Sequence, residues 1–231
     1  MKPTLVLIPG LLSDGIVWRR AVESISTVLP VAVADLSTQD HITRMAEDTL
    51  SAHPGPLYLA RHSMGARVAL EMVRLAPDRI ERLALCDTGI HPRKEGEEAR
   101  RQVLVDLAYR EGMKALADQW LPPMVHSARH TDRVLMSELC AMVERMSPEL
   151  HERQIRALLD RPDARPSLQD IRCPTLLLVG RQDAWSPLAQ HEEMQSLLPH
   201  ARLEVIEDAG HFAPIERPEA VGAALENWIR A

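Results

Sequence analysis

Three residues able to do nucleophilic chemistry stand at matching places in the chain. Ser63 lies in "ARHSMGARVALEMV", between the apolar run 57–60 and a helical pattern that starts at Met64. A strand-to-helix turn of this kind lifts a hydroxyl clear of the sheet. The free N–H groups of the helix N-terminus then face incoming negative charge. Asp183 lies in "GRQDAWSP", just past the apolar run 175–179, and His211 lies in "EDAGHFAPIERP", just past 202–206. A hydroxyl, a carboxylate and an imidazole therefore sit on loops that follow strands, in the chain order a nucleophile elbow requires. Each has a plain structural rival. Asp183 could cap a helix, although Ser186 occupies the better cap position. His211 could be surface filler, although Gly210 suits a tight turn that aims it inward.

A sheet must hold these loops at one end. Runs at 4–8, 31–36, 57–60, 80–86, 173–180 and 202–206 are short and apolar, and read as strands. Between them the apolar spacing predicts helices over 17–28, 42–52, from Met64, from Ser186-Pro187 and over 218–229. Continuous apolar strands separated by helices indicate an α/β fold, with a mostly parallel sheet covered on both faces. The rhythm stops from His91 to about Pro166, where only helical patterns appear, with Ser147-Pro148 as an N-cap followed by proline at the first helical position. The expected organisation is a core of residues 1–90 and 167–231 with a helical insertion of two to four helices at 91–166. In such sheets ligands bind beyond the carboxyl ends of the strands.

Composition narrows the function classes. The 231 residues are 45% hydrophobic and 26% charged, enough for a full core, and aromatics make up only 3%. A net charge of −6 without a basic stripe argues against a nucleic-acid surface. No apolar run approaches the roughly 18 residues of a membrane span. Three scattered cysteines with no Cys-x-x-Cys suit a reducing cytoplasm, as does an N-terminus that enters a strand without a leader. His126 and His130 have i,i+4 spacing that could serve a metal. Without a third ligand or an HExxH motif, solvated histidines are the favoured reading, and no metal is expected.

Taken together, "LVLIPGLLSDGIVW", "HSMG", "LLLVGRQD" and "DAGHFAPIERPEAV" closely resemble the α/β-hydrolase superfamily, in its cap-bearing branch. The resemblance covers nearly the whole chain and implies a trimmed core of about six strands with 91–166 as a cap, or lid. It implies Ser63 as nucleophile, His211 as general base and Asp183 as the acid that orients it, with Asp87 the weaker alternative acid. The imidazole takes the serine proton as the oxygen attacks a carbonyl, and the carboxylate stabilises the imidazolium. Two backbone N–H groups, those of Leu11 and Met64, inherit the oxyanion hole. Pro9 stands where the family usually has histidine, and "DLSTQDH" replaces the Gly-x-Gly after the second strand.

Trp120, Met124, Trp185 and Phe212 are candidates to line an acyl pocket. Arg61 replaces the first glycine of Gly-x-Ser-x-Gly and has two expected fates. It pairs with a carboxylate, Asp87 being the candidate, or it binds a substrate carboxylate through its planar fork. The expected activity is a cofactor-free, cytoplasmic serine hydrolase that cleaves a small ester or lactone through an acyl-enzyme. Thioesterase, carbon–carbon bond hydrolase and cofactor-free haloperoxidase or perhydrolase are rivals on the same triad. A small-molecule receptor built on the scaffold is the non-enzyme rival.

Overall fold

A computed structural model describes residues 2–231. Six strands form one parallel sheet: β1 (Thr4–Ile8), β2 (Val31–Val33), β3 (Leu57–His62), β4 (Ile80–Cys86), β5 (Thr175–Gly180) and β6 (Arg202–Ile206). Their spatial order is β2-β1-β3-β4-β5-β6. The chain moves outward from β1 to β2, then crosses back to β3 on the other side, so the switch point lies between β1 and β3. Ligands of open parallel sheets bind at such a crevice. The inner strands β1, β3, β4 and β5 are buried along most of their length, while β2 and β6 at the edges are half open. Their apolar runs are continuous because both faces are covered.

Among the described residues nine α-helices accompany the strands: α1 (Ile42–Ala52), α2 (Met64–Leu75), α3 (Glu97–Trp120), α4 (Arg133–Glu144), α5 (Pro148–Leu159), α6 (Arg165–Leu168), α7 (Leu188–Leu197), α8 (Ala213–Glu216) and α9 (Pro218–Arg230). Helices α1 and α2 pack on each other, α2 on β1, β3 and β4, and α7 and α9 on β5 and β6. Between β4 and β5 the described chain is helical, with α3 breaking at Gly112, where φ is +86°. Ser147 caps α5 as expected, its Oγ accepting from Leu150 N at 3.2 Å, with Pro148 at the first position.

That helical segment is tied to the core. Gln154 on α5 accepts from Leu12 N at 2.9 Å and donates to Leu36 O at 3.3 Å, which bridges the loops after β1 and β2. The segment also reaches the loop after β6, where Met124 O accepts the His211 N–H at 2.7 Å. Among the described residues no helix is long and apolar enough to cross a membrane.

One expected helix is absent. Residues 17–28 form turns, with short 3₁₀ segments at Gly15–Val17 and Ile25–Thr27. Ser26 and Thr27 hydroxyls donate to the Glu23 and Ser24 carbonyls at 2.7 Å, and β-branched Val17, Val22, Ile25 and Val28 lose side-chain freedom in a helix. Local side-chain bonds and poor propensity together outweigh the apolar spacing.

Candidate active site

Ser63 sits where β3 gives way to α2, with φ +53° and ψ −116°. A non-glycine residue held there costs on the order of 1–3 kcal/mol, so the surroundings must enforce it. They do so through the backbone. Ser63 N donates to Cys86 O at 3.0 Å, and Thr88 Oγ1 donates to Ser63 O at 3.1 Å. Gly65 lets the helix start press against β1: a Cβ there would stand 2.3 Å from Ile8 O and 2.6 Å from Pro9 O. The second glycine of the elbow thus answers to strand–helix contact, not to local flexibility.

The loops after β5 and β6 meet this serine. His211 Nε2 is 2.8 Å from Ser63 Oγ, and His211 Nδ1 is 2.8 Å from Asp183 Oδ2. The other Asp183 oxygen accepts the N–H groups of Trp185 at 2.8 Å and Ser186 at 2.9 Å. Burial pushes the Asp183 carboxyl up, but His211 and these two N–H groups outweigh it and hold the group below its ordinary value. The expectation that Ser186 caps the following helix is corrected: α7 starts after Pro187 without a side-chain cap, and Ser186 N serves Asp183 instead.

Several buried polar groups brace the histidine, and the sequence singled out Asp87 alone among them, in a different role. His62 Nε2 lies 2.5 Å from His211 O, and burial together with the neighbouring His211 holds His62 down at about 3, so it is neutral and donates from Nε2. Glu216 accepts from Gly210 N at 3.0 Å, Phe212 N at 3.2 Å and His126 N at 2.9 Å, which pins both ends of the histidine turn. Asp87 accepts from Gly180 N at 2.8 Å and Ala213 N at 3.2 Å. Burial and the Asp183 charge push the Asp87 carboxyl well up.

An open cavity of about 510 Å³ lies over the serine, and Ser63, His211, Leu11, Met64, Trp120, Met124 and Trp185 all line it. Among the described residues, no protein acceptor takes the N–H of Leu11 or of Met64. Phe212 is placed elsewhere: it is buried beneath the cavity, stacked on His62 at 5.1 Å and edge-on to Trp120 at 6.1 Å. It supports the wall and does not form it.

Both expected fates of Arg61 are corrected. Its side chain is fully buried and does not reach the cavity. Asp87 is no partner either, since both its oxygens are taken by backbone N–H groups. Arg61 Nη2 donates only to Leu59 O at 3.0 Å, its Nε and Nη1 have no partner, and burial lowers its pKa to about 9. Among the described residues no carboxylate pairs with this arginine. His126 and His130 lie beside a 3₁₀ turn and not on a helix. Among the described residues, no group of three or more His, Cys, Asp or Glu side chains could hold a metal ion.

A parallel sheet with a serine on a strained strand–helix turn, beside a histidine–aspartate pair, defines the nucleophile-elbow class of α/β proteins. The chain is a hydrolase and belongs to the alpha/beta hydrolase family, whose model matches residues 5–224. It is 26% identical to a pimeloyl-[acyl-carrier protein] methyl ester esterase of Nitrosomonas europaea over 94% of this chain and 92% of that one. A thermophilic esterase from Thermogutta terrifontis superimposes with a TM-score of 0.90 at 28% identity, covering 99% of this chain and 89% of that one. The enol-lactonase from Burkholderia xenovorans superimposes with a TM-score of 0.86 at 25% identity, covering 100% and 92%.

Proposed function

We propose that this protein hydrolyses a small carboxylic ester or lactone through an acyl-enzyme on Ser63. The reading rests on one observation above all. Ser63 Oγ, the His211 ring and Asp183 Oδ2 form a continuous hydrogen-bonded line with 2.8 Å at each step, opening on the cavity. His211 Nε2 takes the Oγ proton as Oγ attacks the acyl carbon, and the ionised Asp183 stabilises the imidazolium through Nδ1. The unused N–H groups of Leu11 and Met64 receive the negative oxygen of the tetrahedral intermediate. His211 then gives its proton to the departing alcohol. A water deprotonated by His211 attacks the acyl-enzyme in the same way, and the acid leaves with Ser63 restored.

The names of the relatives support the ester class. The mechanism needs no group that the chain does not supply. Residues 91–166 act as the cap that shapes the pocket, with Trp120 and Met124 on its wall and Trp185 at its mouth. Three unpaired thiols suit a cytoplasmic protein.

Turnover of a panel of methyl esters, lactones and thioesters by the wild type, Ser63→Ala and His211→Ala tests the reading. Each variant should lose about 10⁴-fold in kcat while keeping its fold. Retention of a tenth of the activity by Ser63→Ala overturns the mechanism, and no turnover of any substrate by the wild type favours a receptor on this scaffold.

A further inference from the structure

The lining of the cavity over Ser63 carries an excess of positive charge that the ester chemistry does not use. Five cationic side chains and a single carboxylate, Glu97, line it, in a chain whose net charge is −6. Glu97 is fully committed. It accepts from Arg101 Nε at 2.8 Å, from Arg161 at 2.8 and 2.9 Å, and from Lys94 N at 3.0 Å. Burial pushes Glu97 up, yet these donors overcome it and bring its carboxyl down to about 2.

Arg67 is left over. It stands four residues beyond Ser63, in the first turn of α2, and lines the same cavity as the serine. Its side chain is nine-tenths buried and enters no ion pair among the described residues. Nη2 donates to His91 O at 2.7 Å, and Nη1 is buried with no partner at all. Burial above all, with the nearby Arg161 charge, lowers its pKa to about 9, and the Glu97 and Asp163 charges offset this only in part. His151, on α5 and also in the cavity lining, is fully buried with both ring nitrogens unpartnered. Burial and the Arg101 charge hold it at about 4, so it is neutral and has one N–H to give. Buried polar atoms are normally satisfied, and these two residues, both of which line the cavity, leave donors without a partner.

We propose that Arg67 and His151 form an anion subsite beside Ser63, selecting esters that carry a second, ionised carboxylate. This rests on the ester-hydrolase reading above. One free Nη1 and one imidazole N–H offer two donors, which matches the two oxygens of a carboxylate better than the three of a phosphate. The bound carboxylate supplies the charge that Arg67 lacks, and Glu97 stays with Arg101 and Arg161. The offset along α2 separates the carboxylate from the scissile carbonyl by a short chain. That carboxylate could sit on the acyl part or on the alcohol part of the ester.

The test compares each charged ester with its neutral twin. Monomethyl adipate against dimethyl adipate probes the acyl side, and 3-acetoxypropionate against its methyl ester probes the alcohol side. Binding to Ser63→Ala protein is measured by calorimetry, independently of turnover, and kcat/KM is measured on the active enzyme. At least one charged ester should be preferred about 10- to 100-fold. Arg67→Met should abolish the preference, Arg67→Lys should restore part of it, and His151→Leu should reduce it several-fold. Equal binding of charged and neutral esters, no binding of any of them, or a preference untouched by Arg67→Met and His151→Leu overturns the subsite. Charge-selective binding without turnover in the wild type upholds the subsite and defeats the hydrolase reading alone.

Discussion

Gly65→Ala tests how strand, helix and oxyanion loop are locked together. The added methyl would lie 2.3 Å from Ile8 O, 2.6 Å from Pro9 O and 2.8 Å from Ile8 C, all backbone atoms that no side-chain rotation can clear. Ordinary contact requires β1 and α2 to part by about an ångström. Alanine favours a helix over glycine by roughly 1 kcal/mol, whereas overpacking of this kind costs about 1–3 kcal/mol. The net should be a loss of up to about 2 kcal/mol, or a drop in Tm of up to about 8 °C for a domain of this size. Activity should suffer more. Ile8 and Pro9 lead directly into Leu11, whose N–H is proposed to meet the developing oxyanion, and a misplacement of about 1 Å costs on the order of 100-fold. Steady-state kinetics on the best ester, with melting by circular dichroism, gives both quantities. A variant with kcat within about threefold of wild type and an unchanged Tm would refute the claim that this contact positions the oxyanion loop.

Two further outcomes follow from buried groups. Burial holds His62 at about 3, and His151 and His191, the latter buried on α7, at about 4, so all three are neutral in the folded protein. On unfolding they recover the ordinary value of about 6.5 and bind protons; their contribution is complete above that pH and is lost as pH falls toward the folded values. Near pH 5 the three together steepen the loss to as much as about 4 kcal/mol per pH unit; urea midpoints that stay flat from pH 6.5 to 4.5 would contradict neutral burial. Asp183→Asn should cut kcat about 10³- to 10⁴-fold with little change in Tm, because an amide oxygen can still accept from Trp185 and Ser186 while the charge behind His211 is gone. Kinetics showing an unimpaired Asp183→Asn would transfer the acid role to Asp87.

The sequence carried the candidate reacting groups and little of what supports them. Ser63, Asp183 and His211 were legible because each follows an apolar strand, and strand ends of a parallel sheet converge on one edge. The support was not legible because it depends on which way a side chain points across covered layers. His62 and Arg61 are neighbours in β3, and nothing in "ARHS" tells that one bonds the His211 carbonyl while the other is sealed among apolar strands. Glu216 and Asp87 bond backbone N–H groups, contacts that leave no trace in residue spacing. Two signals could have been found. Arg67 is one helical turn from Ser63, and His151 shares the apolar stripe of α5 with Gln154, Ile155 and Leu158. The missing helix at 17–28 has a different cause: its apolar spacing was sound, but Ser26 and Thr27 satisfy the backbone locally.

The central claim is that Ser63 is a nucleophile activated by His211, and covalent capture tests it most directly. Purified protein is treated with a fluorophosphonate and digested, and the modified peptide is identified by mass spectrometry. The account predicts one adduct, on the Ser63 hydroxyl, absent in Ser63→Ala and formed far more slowly in His211→Ala. An unmodified protein, or an adduct on another residue that survives in Ser63→Ala, would contradict it.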